Sequence, residues 1–238
     1  MPLRTVKEKA EESFLLIEEI SNELSITIKK IISDSKKTSI VNVRLENKIK
    51  EKILFSIENL LIRNDFISGA GFYHHNDFSD NLWKMVWFYQ PKYTHRPEKK
   101  CLKKVSQPLL DGQIFSWLSR ISEDNKGYLY GPYVDYVYDS TYILTYIYPV
   151  HLGKQCVGVT TIDIAVGRLE QEIRHTLVNT LAPLVMTTIS GRILFSNHPH
   201  HRVAELAAAH LSPQYLTSDY FTLWLINDKD GAVLPHPP

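Results

Sequence analysis

The chain has 238 residues, of which 44% are hydrophobic and 22% charged, with a formal net charge of +1. That composition excludes a disordered or collagen-like chain and leaves enough apolar material for one large domain or one and a half small ones. A near-neutral balance gives no global drive toward nucleic acid or anionic membrane, and no window reaches the roughly eighteen apolar residues of a membrane span.

From about Thr5 to Asp34 there is neither Gly nor Pro, and Ala10, Phe14, Ile17, Leu24, Ile28 and Ile31 mark one face. This predicts an amphipathic helix on the order of 45 Å long. Its seam can pack on the chain's own sheet or on a second copy, as a homodimer. Leu45 to Ile62 predicts a second helix through Ile49, Ile53, Ile57, Leu60 and Leu61. Ala70 to His75 and Leu82 to Tyr89 alternate like paired strands, with turn formers Asn76-Asp77 and Asp80-Asn81 between them. Lys92 to Lys104 holds six Lys or Arg against one Glu and reads as a solvated loop. Ile114 to Ile121 reads as a short helix carrying Trp117, followed by a turn over Asp124 to Gly127.

Three tyrosine- and β-branched-rich strands follow, Tyr128 to Tyr138, Ser140 to Leu152 and Gln155 to Val166, joined at Asp139-Ser140 and Gly153-Lys154. That is an antiparallel meander. It carries two isolated aspartates, Asp135 and Asp163. Aspartate is unfavourable inside a strand, so each needs a reason, either a ligand or backbone N–H groups to accept from. Val166 to Leu177 reads as an exposed helix with Leu169 and Ile173 inward, stopped by Pro183. Val185 to Ile189 and Arg192 to Ser196 form a hairpin about Ser190-Gly191, Val203 to Leu211 a short helix, and Tyr220 to Ile226 a last strand.

Chemistry-bearing motifs are sparse. There is no nucleophile elbow, phosphate-binding glycine loop, HExxH or paired-cysteine motif, and no cofactor is nominated. Cys101 lies in the lysine-rich segment and Cys156 in an apolar strand, which argues against a disulfide between them. His74-His75 and His198-Pro199-His200-His201 supply imidazoles, but adjacent histidines on a strand point opposite ways and no acidic or Cys ligand falls at a metal-site spacing.

The order Gly131-Pro132-Tyr133, Asp135, Thr145, Pro149-Val150, Gly158-Val159 and Asp163-Ile164 resembles the core of Cache domains, the PAS-like ligand sensors of bacterial receptors. The likeness extends upstream to Phe115 and Trp117, and downstream to Leu184 to Pro199, similar to the hairpin opening a second Cache lobe; roughly residues 40 to 200 are covered. It implies an α+β fold: a long N-terminal helix on a five-stranded antiparallel PAS-like sheet, with a small truncated second αβ lobe. The expected division is a helix over 1–40, a ligand-binding domain over 41–180 and the second lobe over 181–238.

The resemblance also implies a ligand site between the sheet and the preceding helix, formed by Trp117, Tyr133, Asp135, Tyr148 and Asp163. Where amino-acid-binding relatives carry an arginine two residues before the tryptophan, this chain has Phe115, so the half retained is the one that holds an amino group. Carboxylates and aromatic faces suit an ammonium, through charge-assisted hydrogen bonds and cation–π attraction. The implied function is a sensor for a small cationic metabolite, an amine or amino acid, that shifts the population of states seen by a signalling partner. An enzyme acting on a small amine and an interaction module with no ligand are the other readings. As written the chain is cytoplasmic; as part of a membrane receptor it is extracytoplasmic.

Overall fold

The computed structural model describes residues 2–36, 47–74, 85–90, 98–102, 126–135, 140–178, 183–207 and 215–226. Helix α1 spans Pro2–Lys36 and α2 spans Asn47–Arg63. Strands β1 (Gly69–His74), β2 (Met85–Tyr89), β3 (Glu98–Leu102), β4 (Tyr128–Asp135), β5 (Thr141–Leu152) and β6 (Gln155–Ala165) form one antiparallel sheet in the order β3-β2-β1-β6-β5-β4. Helix α3 (Val166–Val178) follows β6 without a break. Strands β7 (Leu184–Thr188), β8 (Ile193–Ser196), β9 (Tyr215–Thr217) and β10 (Phe221–Leu225) make a second sheet, ordered β8-β7-β10-β9. The expected α+β plan of a long helix on an antiparallel sheet with a smaller second lobe is present.

Helix α1 uses its seam inside the chain. Val6, Ala10, Phe14, Ile17, Leu24, Ile28 and Ile32 are all buried in one core with Leu144, Ile162 and Ile164 of the first sheet and Phe221 and Leu223 of the second. Full burial of a Val, Leu, Ile or Phe side chain contributes about 1.5–3 kcal/mol, so this seam holds the helix on the two sheets. Ser21 Oγ lies 3.4 Å from Thr160 Oγ1, and Ser25 Oγ donates to the carbonyl of Pro149 at 3.1 Å. Farther toward its start, Phe14 stacks on Tyr220 at 5.3 Å, so one helix grips both sheets. On α3, Leu169 and Ile173 are buried as their spacing predicts.

Two expectations need correction. The lysine-rich segment is not all loop: Glu98–Leu102 pairs with β2 from Tyr89↔Glu98 to Met85↔Leu102 and adds a sixth strand. The edge of β2 offers unpaired backbone groups, and lysines are suited to the outermost strand of a sheet because charge discourages further pairing. The helix expected from Val203 is a turn through residue 207, because the backbone there is spent on the β7–β8 hairpin. Ala204 N–H donates to Ile193 O, Ile193 N–H to Glu205 O and Ala207 N–H to Gly191 O, each at 2.8 Å. Ala204 sits at φ 71°, outside helical backbone geometry. The helix expected over Ile114 to Ile121 lies outside the described residues.

Candidate functional site

The first sheet has two faces, and its bulges decide which residues reach each one. In β4 the register shifts between Tyr130, opposite Thr145, and Tyr133, opposite Ile143. Gly131, at φ 115°, supplies the backbone that this step requires. Tyr130 and Tyr133 would point apart on a regular strand, yet here their ring centroids lie 5.6 Å from each other on one side. Asp135, two residues on and opposite Thr141, follows Tyr133 to that side.

Asp163 of β6 stands opposite Thr145 of β5 and Gly69 of β1, in the middle of the sheet. Thr145 Oγ1 donates to its Oδ1 at 2.6 Å and Trp87 Nε1 donates to its Oδ2 at 2.7 Å. Tyr133 Oη lies 2.7 Å from Thr145 Oγ1, extending the polar cluster to β4. Trp87 reaches across β1 because Gly69 and Gly71 have no side chains. A Cβ on Gly69 would lie 2.9 Å from both Asp163 Oδ2 and the indole, and one on Gly71 only 2.6 Å from Trp87 Cδ1. The glycines form a notch that seats the ring.

Burial pushes the Asp163 carboxyl up to about 6, with the charge of Asp135 adding to the rise and the Thr145 and Trp87 hydrogen bonds opposing it. The Tyr133 hydroxyl is raised well above its usual range by burial and then by the Asp163 charge. Both shifts describe one condition: negative charge held in a place where water does not compensate it. A cation entering here would relieve both.

Beside this cluster lies a cavity of about 570 Å³, lined by Asp135, Asp163, Trp87, Gln90, Ile143 and residues of the α3 start such as Val166 and Arg168. Val203 of the second lobe also reaches it. Arg168 Nη1 donates to the carbonyls of Asp65 at 2.5 Å and Ile67 at 2.7 Å, tying α3 to the end of α2. Its volume suits a small molecule.

Of the residues expected from the sequence, Asp135 and Asp163 line this cavity, and Tyr133 supports it through Thr145. Tyr148 does not join them. It lies opposite Thr160, packs on the core beneath α1 and so faces away from Asp163. The cause is a bulge between Val150 and His151 that shifts β5 against β6 by one residue. Such a slip moves a side chain to the other face of a sheet. Trp117 lies outside the described residues. Trp87, Gln90 and the Gly69–Gly71 notch were not singled out from the sequence; the Gly-x-Gly spacing opposite a strand tryptophan was the available signal.

Among the described residues the histidines form no metal site. His198 lies 5.3 Å from His200 and 5.5 Å from His201 between ring centroids, and burial lowers the His201 pKa. Among the described residues, no group of three His, Cys, Asp or Glu is arranged to hold a metal ion, and no helix is long and apolar enough to cross a membrane. Cys156, a free thiol, is half-buried and its pKa is raised by that burial.

No family model matches the chain, and no curated protein sequence matches it either. Solved structures do match in fold. The extracellular domain of soHK1S-Z6, described as a histidine kinase, superposes with a TM-score of 0.58 at 18% identity, over 81% of this chain and 68% of that one. The ligand-binding domain of the Campylobacter jejuni chemoreceptor Tlp3, in complex with L-valine, gives 0.55 at 14% identity over 82% and 68%. The chain shares its fold with these sensory and ligand-binding domains, as the resemblance in its sequence leads one to expect. The periplasmic sensory domain of C. jejuni Tlp1 gives 0.56 at 12% identity over 86% and 72%. At these identities the likeness is one of fold, and the chemistry of this site rests on its own residues.

Proposed function

We propose that this chain is a ligand-binding sensor module whose cavity takes a small cationic metabolite, an amine or amino acid, rather than an enzyme. The observation that carries the reading is a fully buried carboxylate, Asp163, sharing a cavity with a second, Asp135. The two charges repel each other and that of Asp163 is also desolvated, and a bound ammonium offsets both costs while gaining charge-assisted hydrogen bonds. Similarity to Tlp3 structures with L-valine, isoleucine and L-norvaline bound supports an amino-acid-like ligand, and the extracellular and periplasmic neighbours support an extracytoplasmic place.

The ligand bridges the first sheet and the start of α3, favouring a closed state. Differential affinity for that state passes the signal to a partner protein through α1, which packs on both sheets. A homodimer would use the outer side of α1, where Leu15, Leu16 and Ile26 are exposed, because the inner seam is filled. Trp117 is proposed as a further wall of the site.

The test is thermal unfolding with a panel of amines and amino acids on the wild type and Asp163→Asn. A ligand at a hundred times its Kd adds about 2.7 kcal/mol to wild-type stability. The variant is expected to fold and to lose that response. Unfolding of Asp163→Asn, or an undiminished response, would assign the residue to structure instead.

A further inference from the structure

The turn after β8 carries one side chain of the second lobe into the cavity of the first. Residues 202–207 are strapped to the β7–β8 hairpin: Arg192 bridges to Leu206, and the Arg192 guanidinium donates to Ala204 O at 3.0 Å. Backbone bonds from Ala204 to Ile193, from Ile193 to Glu205 and from Ala207 to Gly191 hold the rest. Within this strap Ala204 sits at φ 71°, a conformation that a side chain disfavours and that persists only where the surroundings impose it. The residue before it is Val203. Half-buried and packed against the main core, Val203 lines the cavity of about 570 Å³, and no other described residue of the second lobe does.

The cavity's walls in the first lobe are of two kinds. Asp135 and Asp163 supply charge, while Ile143, 5% exposed, and Val166, 3% exposed, supply hydrocarbon. Ile143 stands opposite Tyr133 and Ala165, two residues along β5 from Thr145, so apolar surface begins on the same face as the Asp163 cluster. A cation that met only the carboxylates would leave Ile143, Val166 and Val203 uncovered. Hydrocarbon attached to the ammonium would cover them, with a gain of about fourfold in affinity for each methylene taken out of water.

We infer that Val203 is a specificity-determining contact of this site, and that the ligand it selects is an ammonium carrying an aliphatic portion that extends from the Asp163 face to the second lobe. This rests on the cation-binding reading above. The site is then complete only with the second lobe in place, and the length of the hydrocarbon sets the affinity. A site of carboxylates alone would hold short and long amines equally. A ligand that touches Val203 also ties the two lobes to each other, which gives it differential affinity for the arrangement in which they meet.

Calorimetric titration of the wild type, Val203→Ala and Val203→Thr tests the inference with two series: the n-alkylamines from methylamine to n-hexylamine, and glycine, L-alanine, L-norvaline and L-norleucine. Wild-type affinity is expected to climb about fourfold per methylene until the chain has met Val203, and then to level off. Val203→Ala withdraws the wall and Val203→Thr puts a hydroxyl in it, so each is expected to lower the ratio of longest-ligand to shortest-ligand affinity by about fivefold or more. Taking the ratio within each protein removes any change in folding stability from the readout. Equal affinity along the wild-type series, or an unchanged ratio in both variants, overturns the role of Val203 and leaves cation binding standing. Losses in the variants that are the same for short and long ligands overturn it too, since they would come from the position of the lobe and not from contact with the chain. Failure of every member of both series to bind the wild type overturns the cation-binding reading, and this inference with it.

Discussion

Strands β5 and β6 present opposite chemistries on their two faces. Toward α1 they show Leu144, Tyr146, Val150, Ile162 and Ile164, all buried in the main core. The polar groups on that side are answered by the helix: Thr160 by Ser21, the Pro149 carbonyl by Ser25, and Tyr220 of the second lobe by Glu18. Away from α1 the same strands show Thr145, Thr161 and Asp163, joined by Tyr133 from β4 and Trp87 from β2. There a carboxylate is buried. One face is finished by the fold itself, while the other keeps costs that a ligand would offset, as functional sites commonly do.

Neighbouring residues should therefore respond differently. The largest effect is expected from Leu144→Ala on the α1 side, where a buried leucine with no exposure leaves a hole under the helix. It should lower unfolding free energy by about 2–5 kcal/mol in urea titrations while leaving ligand preference untouched. Equal losses of stability and selectivity would show that the two faces are not separable. Gly71→Ala, on the other side, places a methyl 2.6 Å from Trp87 Cδ1 and 2.9 Å from the Val86 carbonyl. Overpacking of this kind costs about 1–3 kcal/mol, and displacement of the indole should weaken amine binding as well. A stable variant with normal binding would mean that the notch is incidental.

Much of the architecture was readable because its signals are local. The seam from Ala10 to Ile28 lies buried as its spacing predicts, Leu169 and Ile173 face inward, and β5 and β6 run nearly where the Gly153-Lys154 turn places them. Asp135 and Asp163 were legible because carboxylates stand out in apolar strands. What was not legible depends on register. Counting back from the turn without the bulge pairs Tyr148 with Val159, on the face that carries Asp163; the bulge pairs it with Thr160 and turns it to the core. Trp87 escaped notice because its role depends on a glycine notch in the adjacent strand, a contact that no single segment announces. β3 escaped because its residues read as a charged loop until a sheet edge is there to recruit them.

The effect spread most gradually concerns pH, and it separates the faces most cleanly because the raised carboxyl lies on only one of them. With Asp163 held near 6 against an ordinary 3.8, the folded chain keeps a proton that the unfolded chain releases between those values. Stability should therefore fall as pH rises through that window and level off above it, by an amount on the order of 3 kcal/mol in total. Asp163→Asn should flatten this slope, whereas Leu144→Ala should shift the whole curve and keep it. A cationic ligand binds the ionised form, so its affinity should rise about tenfold from pH 5 to pH 7 and release a proton at the lower end. The Thr145 hydroxyl opposes the rise in the Asp163 pKa, so Thr145→Val should move the midpoint of both curves upward. A pH-independent affinity between 5 and 7 would place the ligand's charge somewhere other than against Asp163.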